Sequence, residues 1–194
     1  MWPWGHLAVG YLLYSGTNHL LTGSRPSPRA VFWLAIATQL PDLIDKPLAY
    51  WWHFLPEGRT LAHSYVFLGP LCLGVVLATR YLSASDVGAA FSIGVLSHPL
   101  ADGLGAIHTA NWEMLTYLVW PILPAPDYEA DSFAHHVDQL MALIETLRSG
   151  SVTAAGWEPI VLELSIVAVV LLLWVYDGMP PLLGTWRSIL GPSR

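Results

Sequence analysis

The sequence predicts an all-α membrane protein: a polytopic bundle of about five transmembrane helices with one amphipathic helix on its surface. Three observations lead there. Of 194 residues, 54% are hydrophobic and only 11% are charged, against roughly 25% charged in a soluble globular protein. Several stretches with few or no charges approach the ~20 residues that a helix needs to cross hydrocarbon. The ionisable residues at their ends are His and Asp at helical spacing. A net charge of -6 with 8 Lys+Arg excludes a basic nucleic-acid surface as the main function, so no nucleic-acid partner is expected. The apolar composition excludes disorder. The single Cys72 cannot form an internal disulfide. The length suits one domain over residues 1–177, with a Gly- and Pro-containing tail at 178–194.

The elements follow in order. Residues 4–21 are uncharged and predict the first span; no Lys or Arg occurs before Arg25, so they read as a retained helix and not a cleaved signal peptide. Residues 29–45 run apolar into QLPDLID and predict the second. Residues 60–79, bracketed by Arg59 and Arg80, predict the third, and residues 86–106, with acids only at Asp86 and Asp102, the fourth. Residues 115–124 are apolar but too short to span and read as a loop or re-entrant piece. In the polar stretch 126–150, Phe133, Val137, Leu140, Met141, Ile144 and Leu147 recur at helical spacing, with Asp131 or Ser132 as cap. That pattern predicts an amphipathic helix on the membrane surface or against the bundle. Residues 159–176, with Glu163 near the start, predict the fifth span.

Ionisable groups in a span are costly and mark function by default. Here His6 starts the first span, Asp42 and Asp45 end the second, His63 starts the third, and His98 and Asp102 lie near the end of the fourth. Because consecutive spans alternate in direction, all six positions fall at one side of the membrane. His98 and Asp102 are four apart, and Asp42 and Asp45 three apart, so each pair shares a helix face. Three His with three Asp suit Zn²⁺, or Mn²⁺ or Mg²⁺ where carboxylates dominate, as one or two ions with some of the six orienting the others. For His19 and His53 the reading is a hydrogen-bonded core histidine. Asp45 has a rival reading as a partner of Lys46. His108 is a weak candidate, and His135 and His136, near Asp138, read as surface residues.

The order of these motifs resembles the YdjM-like family of LexA-binding, inner-membrane-associated, metal-dependent hydrolases. The family pattern is an early His, a PD-x-D segment, an R-G-x-T-H-S segment, an H-x-x-x-D helix and an aromatic-Pro turn. Its counterparts here are His6; Asp42 with Asp45; Arg59 with His63 and Ser64; His98 with Asp102; and Trp120 with Pro121. The resemblance covers residues 1 to about 124. Two departures stand out: Gly58 precedes Arg59 where the family often has His, and the acids read D-L-I-D. The resemblance implies an integral protein of the inner or plasma membrane and phosphoester hydrolysis.

The mechanism expected from these residues uses a metal-activated water. His6, Asp42, His63, His98 and Asp102 would hold the metal, Asp45 would act as general base, and Arg59 would bind a phosphate oxygen. Ser64 reads as a hydrogen-bond donor and not a nucleophile. Trp2, Trp4, Trp51, Trp52, Trp112 and Trp157 fall on the same side, at headgroup depth. A site there fits a lipid or lipid-linked phosphoester. The alternative is a non-catalytic integral membrane protein with a structural metal. Transport is disfavoured, because the centres of the third and fifth spans lack ionisable residues. Arg25, Arg29, Arg80, Arg187 and Arg194 fall opposite the site, and Lys46, Arg59 and Arg148 beside it. The excess predicts a site outside the cytoplasm. The oligomeric state is not legible.

Overall fold

The structure, a computed structural model, describes residues 1–127 and 158–181, together with residues 137, 138, 141, 142, 144, 145 and 148. Among the described residues the regular elements are helical: α1 (Pro3–Thr22), α2 (Pro28–Ala37), α3 (Leu40–Tyr50), α4 (Tyr65–Tyr81), α5 (Ser85–His108), a 3-10 helix (Trp112–Val119) and α6 (Glu158–Tyr176). The predicted helix over 126–150, its caps Asp131 and Ser132, and His135 and His136 fall largely or wholly outside the described residues.

The helix ends follow local chemistry. Proline opens the first turn of α1, α2 and α3, where a missing N–H costs nothing. Ser27 caps α2 by accepting from the Ala30 amide, and Ser64 caps α4 by accepting from Val66. α1 ends at Gly23, whose φ of 63° is left-handed and whose N–H returns to the His19 carbonyl.

Two predicted spans are corrected. Residues 29–45 are not one helix: α2 stops at Ala37, Thr38 and Gln39 form a turn, and α3 restarts at Leu40. Pro41 explains the break, since it has no N–H for the Ala37 carbonyl. The helix of the third predicted span, α4, begins at Tyr65, not at residue 60, so His63 stands in the turn before it. Among the described residues one helix, α5, is long and apolar enough to cross a membrane; α4 and the apolar part of α6, Val161–Tyr176, are shorter.

α5 is the axis of the bundle. It packs against α1, α2, α4, α3 and the 3-10 helix, while α6 packs on α1. Between helices in lipid, apolar burial gives little drive, and close packing of small residues takes over. Gly94 shows this: a Cβ there would fall 2.9 Å from the Ala37 side chain and 3.0 Å from the Leu34 carbonyl of α2. Tyr11, Tyr14, Leu34 and Ala90 fill one core cluster, and Ala37, Leu68, Cys72 and Val95 fill another. Leu73, Leu77, Leu171 and Leu172 point outward and are exposed.

Away from His6, the other half of α1 is tied to the end of α6. Asp177 is buried and accepts from Tyr11 Oη (2.7 Å) and Ser15 Oγ (2.6 Å), and His19 Nε2 lies 2.7 Å from its second oxygen. Burial alone favours the neutral acid, yet the hydrogen bonds from Ser15, Tyr11 and His19 hold the carboxyl below its ordinary range. His19 is thus a hydrogen-bonded histidine, as read. His53 is not: it is exposed, with a left-handed φ of 53°.

Candidate metal centre

His98 and Asp102 lie one turn apart on α5, among its buried residues. His98 is fixed by a carbonyl that the helix break frees. Thr38 follows the last residue of α2, and its oxygen lies 2.6 Å from His98 Nδ1. That bond puts the proton on Nδ1 and leaves Nε2 with its lone pair.

His63 is fixed the same way by a carboxylate. Asp45 is fully buried, and its Oδ2 lies 2.8 Å from His63 Nδ1. The backbone amides of Thr60, Ala62 and His63 donate to the same carboxylate. The turn 60–63 is therefore wrapped around Asp45. This corrects two readings. With these four donors on it, Asp45 is a positioning carboxylate and not a free general base. It does not pair with Lys46, whose Nζ lies 2.9 Å from Asp42 Oδ2 instead.

Asp42, at the start of α3, turns its other oxygen inward. Asp42 Oδ1 lies 3.5 Å from His63 Nε2 and 3.6 Å from His98 Nε2. Asp102 Oδ2 lies 3.7 Å and 3.9 Å from the same two nitrogens. A tetrahedral ion with bonds of roughly 2.0–2.3 Å places its ligands roughly 3.3–3.8 Å apart. Asp42 Oδ1, His63 Nε2 and His98 Nε2 are buried without a hydrogen-bond partner. Orphaned buried polar atoms are costly and call for an explanation. One ligand atom from each of Asp42, His63, His98 and Asp102 lies within 4.8 Å of the others, which is a set able to hold a metal ion. Imidazole nitrogens and carboxylate oxygens are donors that divalent metal ions take.

His6 completes the convergence of the five residues named from the sequence as ligands. Its ring stacks on His98 at 3.8 Å, and its Nε2 lies 3.2 Å from Asp102 Oδ1. Arg59 is also at the cluster, with Nε 3.1 Å from Asp102 Oδ2. Three carboxylates, Asp42, Asp45 and Asp102, thus face three cations: Lys46, Arg59 and the amino group of Met1, which lies 3.3 Å from Asp102 Oδ1. His108 is exposed beyond the cluster, and Asp138 is exposed as well.

A scan against protein-family models matches the YdjM inner membrane protein family over residues 1–180. The chain belongs to the YdjM inner membrane protein family. No curated protein matches it, and no solved structure does. The YdjM match extends well past the aromatic-Pro turn, where the sequence resemblance ended, and takes in α6 and Asp177.

Several family motifs acquire physical roles here. Ser64, which caps α4, also donates to the Trp120 carbonyl at 2.5 Å, joining the His63 turn to the aromatic-Pro turn. Tyr117 donates to the carbonyl of Pro99 at 2.7 Å, beside His98. The departure at Gly58 has a local reason: a Cβ there would run into the Tyr50 hydroxyl and ring. Sequence reasoning missed the Thr38 carbonyl and gave Glu163 no role. Glu163 on α6 accepts from the Trp2 amide at 3.1 Å, joining α6 to the start of α1. An acid in an apolar span was the available signal for Glu163; a backbone carbonyl offers none.

Proposed function

We propose that this protein is a membrane-bound, metal-dependent hydrolase of a phosphoester in a lipid or lipid-linked substrate. The observation that carries the reading is the set of four ligand atoms at metal-ligand spacing, with both histidines anchored through Nδ1 and presenting bare Nε2 atoms. Zinc is the ion of choice for two imidazoles and two carboxylates; Mn²⁺ and Mg²⁺ prefer more oxygen. A bound divalent ion supplies Lewis-acid activation of water at neutral pH.

The chain's own residues take the other tasks. Asp45 and the Thr38 carbonyl hold the two rings in register. Among the four ligand candidates Asp42 is the open one, 23% exposed against 3% or less for the others, and Arg59 is 19% exposed. These two mark the mouth of the site. Arg59 binds a phosphoryl oxygen there and offsets developing negative charge. Asp42, held by Lys46 through Oδ2, presents Oδ1 to the ion from this open side.

The bundle as a whole lies in the cell membrane. α1, the α2–α3 pair, α4, α5 and α6 make five passes, and the broken second pass reaches the site as backbone that is buried in protein. A second reading has its own support: four protein ligands close a tetrahedral shell, as in structural zinc sites. One experiment separates the two. The purified protein is assayed for zinc and for hydrolysis of 4-nitrophenyl phosphate mono- and diesters, with and without chelator. Metal-dependent turnover supports the hydrolase. Bound zinc with no turnover supports the structural site, and full activity in His63→Ala protein overturns both.

A further inference from the structure

Beside the metal cluster lies a cavity of about 250 Å³. It is lined by apolar side chains alone, among them Pro41, Ile44, Ala62, Leu68, Leu71 and Val95. Its size falls just below the ~300–1,000 Å³ of sites for drug-sized ligands. That is room for one slender chain and not for a bulky ring system or a pair of chains.

Its position gives it meaning. Pro41, Ile44 and Ala62 are the chain neighbours of Asp42, Asp45 and His63, and Val95 lies three residues before His98 on α5. The cavity therefore shares α3, the 60–63 turn and α5 with the cluster. It continues along α4 from Phe67 to Leu71, away from the charged mouth at Asp42 and Arg59. Phe67 and Leu71 are each about 40% exposed, so this end of the cavity faces the surroundings of the bundle. A ligand with a polar head on the cluster and one hydrocarbon tail matches both ends at once.

We infer that this cavity is the tail site of the substrate, taking one linear hydrocarbon chain while its phosphoester head rests on the cluster. The inference rests on the hydrolase reading and adds what that reading leaves open: a single-chain amphiphile, selected by chain length. Hydrocarbon recognition of this kind is graded, because each methylene taken from water adds a similar increment of binding.

The test uses the full chain in lipid nanodiscs and 4-nitrophenyl phosphate diesters bearing methyl, hexyl, dodecyl or farnesyl groups. The wild type is expected to show kcat/KM at least tenfold higher for dodecyl than for methyl. Leu71→Trp and Ile44→Phe, which fill the cavity without touching a ligand residue, are expected to lose that tenfold for dodecyl and to keep methyl turnover within twofold. A flat chain-length series with intact methyl turnover overturns the tail site and leaves the hydrolase standing. A preference for farnesyl over dodecyl overturns the linear chain in favour of a prenyl one. If no ester is turned over, the hydrolase reading fails, and labelling decides the cavity separately. Dodecyl phosphate with a diazirine at its terminal carbon is expected to label residues 61–71, with at least fivefold less label in Leu71→Trp. Label spread evenly along α4, α5 and α6 in both proteins overturns the cavity as a tail site.

Discussion

Asp45 Oδ2 and His63 Nδ1 lie 2.8 Å apart, both residues fully buried, and this pair organises one side of the metal centre. The carboxylate sets the tautomer of the ring, and the amides of the 60–63 turn set the carboxylate. Asp45→Asn keeps the shape but loses a charge-assisted bond. Its zinc affinity is expected to fall ~10–100-fold, the usual cost of removing such a partner. Competition with a chromophoric chelator measures it; unchanged affinity would remove Asp45 from the design of the site.

The ligand residues predict a steeper response. His98→Ala and Asp102→Asn each remove one of four donors. Both are expected to purify with less than about a tenth of the wild-type zinc, since zinc sites of this kind rest on three or four protein ligands. Elemental analysis of protein whose folding is verified by circular dichroism reads this directly. Wild-type zinc content in either variant counts against the assignment.

Arg59 tests the chemistry and not the metal. Arg59→Lys keeps a charge but loses the planar fork that grips phosphate. It is expected to retain zinc and to lose roughly 10²-fold or more in kcat/KM for a phosphodiester, within the range for one electrostatic group at a transition state. Loss of zinc in this variant would make Arg59 a structural partner of Asp102 instead.

At the other half of α1, Asp177 predicts a pH-dependent clamp. Its carboxyl is held below the ordinary value of about 3.9. A depressed folded-state value adds stability above the unfolded value, and that stability is lost as pH falls through the folded one. Asp177→Asn leaves one of its donors without a good acceptor. It is expected to destabilise the protein by ~1–3 kcal/mol at pH 7. The gap from wild type is expected to narrow below about pH 4. Thermal unfolding at pH 7 and pH 3 checks both; a constant gap would show that the charge is not what holds α6.

Orientation is open to a direct measurement. The arginine excess opposite the site predicts that the site lies outside the cytoplasm. In a Cys72→Ser background, His136→Cys is expected to react with an impermeant thiol reagent on intact cells, and Arg187→Cys is not. The opposite pattern would turn the search for substrate to the cytoplasmic leaflet.

The sequence by itself determined the helical class, the membrane family and the identity of the converging residues. The class follows from composition and helical spacing, the family from the order of motifs that resemble it, and the convergence from the alternation of successive spans, all of which are linear in the chain. His6, Asp42, His63, His98 and Asp102 could be placed at one end of the bundle because antiparallel order alone sends them there. The division of labour among them was decided only by the fold. From the sequence Asp42 reads as a ligand and Asp45 as a general base or a partner of Lys46, whereas α3 turns Asp42 Oδ1 toward His63 and His98 and buries Asp45 under the amides of residues 60, 62 and 63. The break at Thr38 puts a free carbonyl under His98, and the tie from Asp177 to Tyr11 joins residues 166 positions apart. Hydrogen-bond direction and close approach between distant segments depend on three-dimensional packing, and no spacing rule along one chain encodes them.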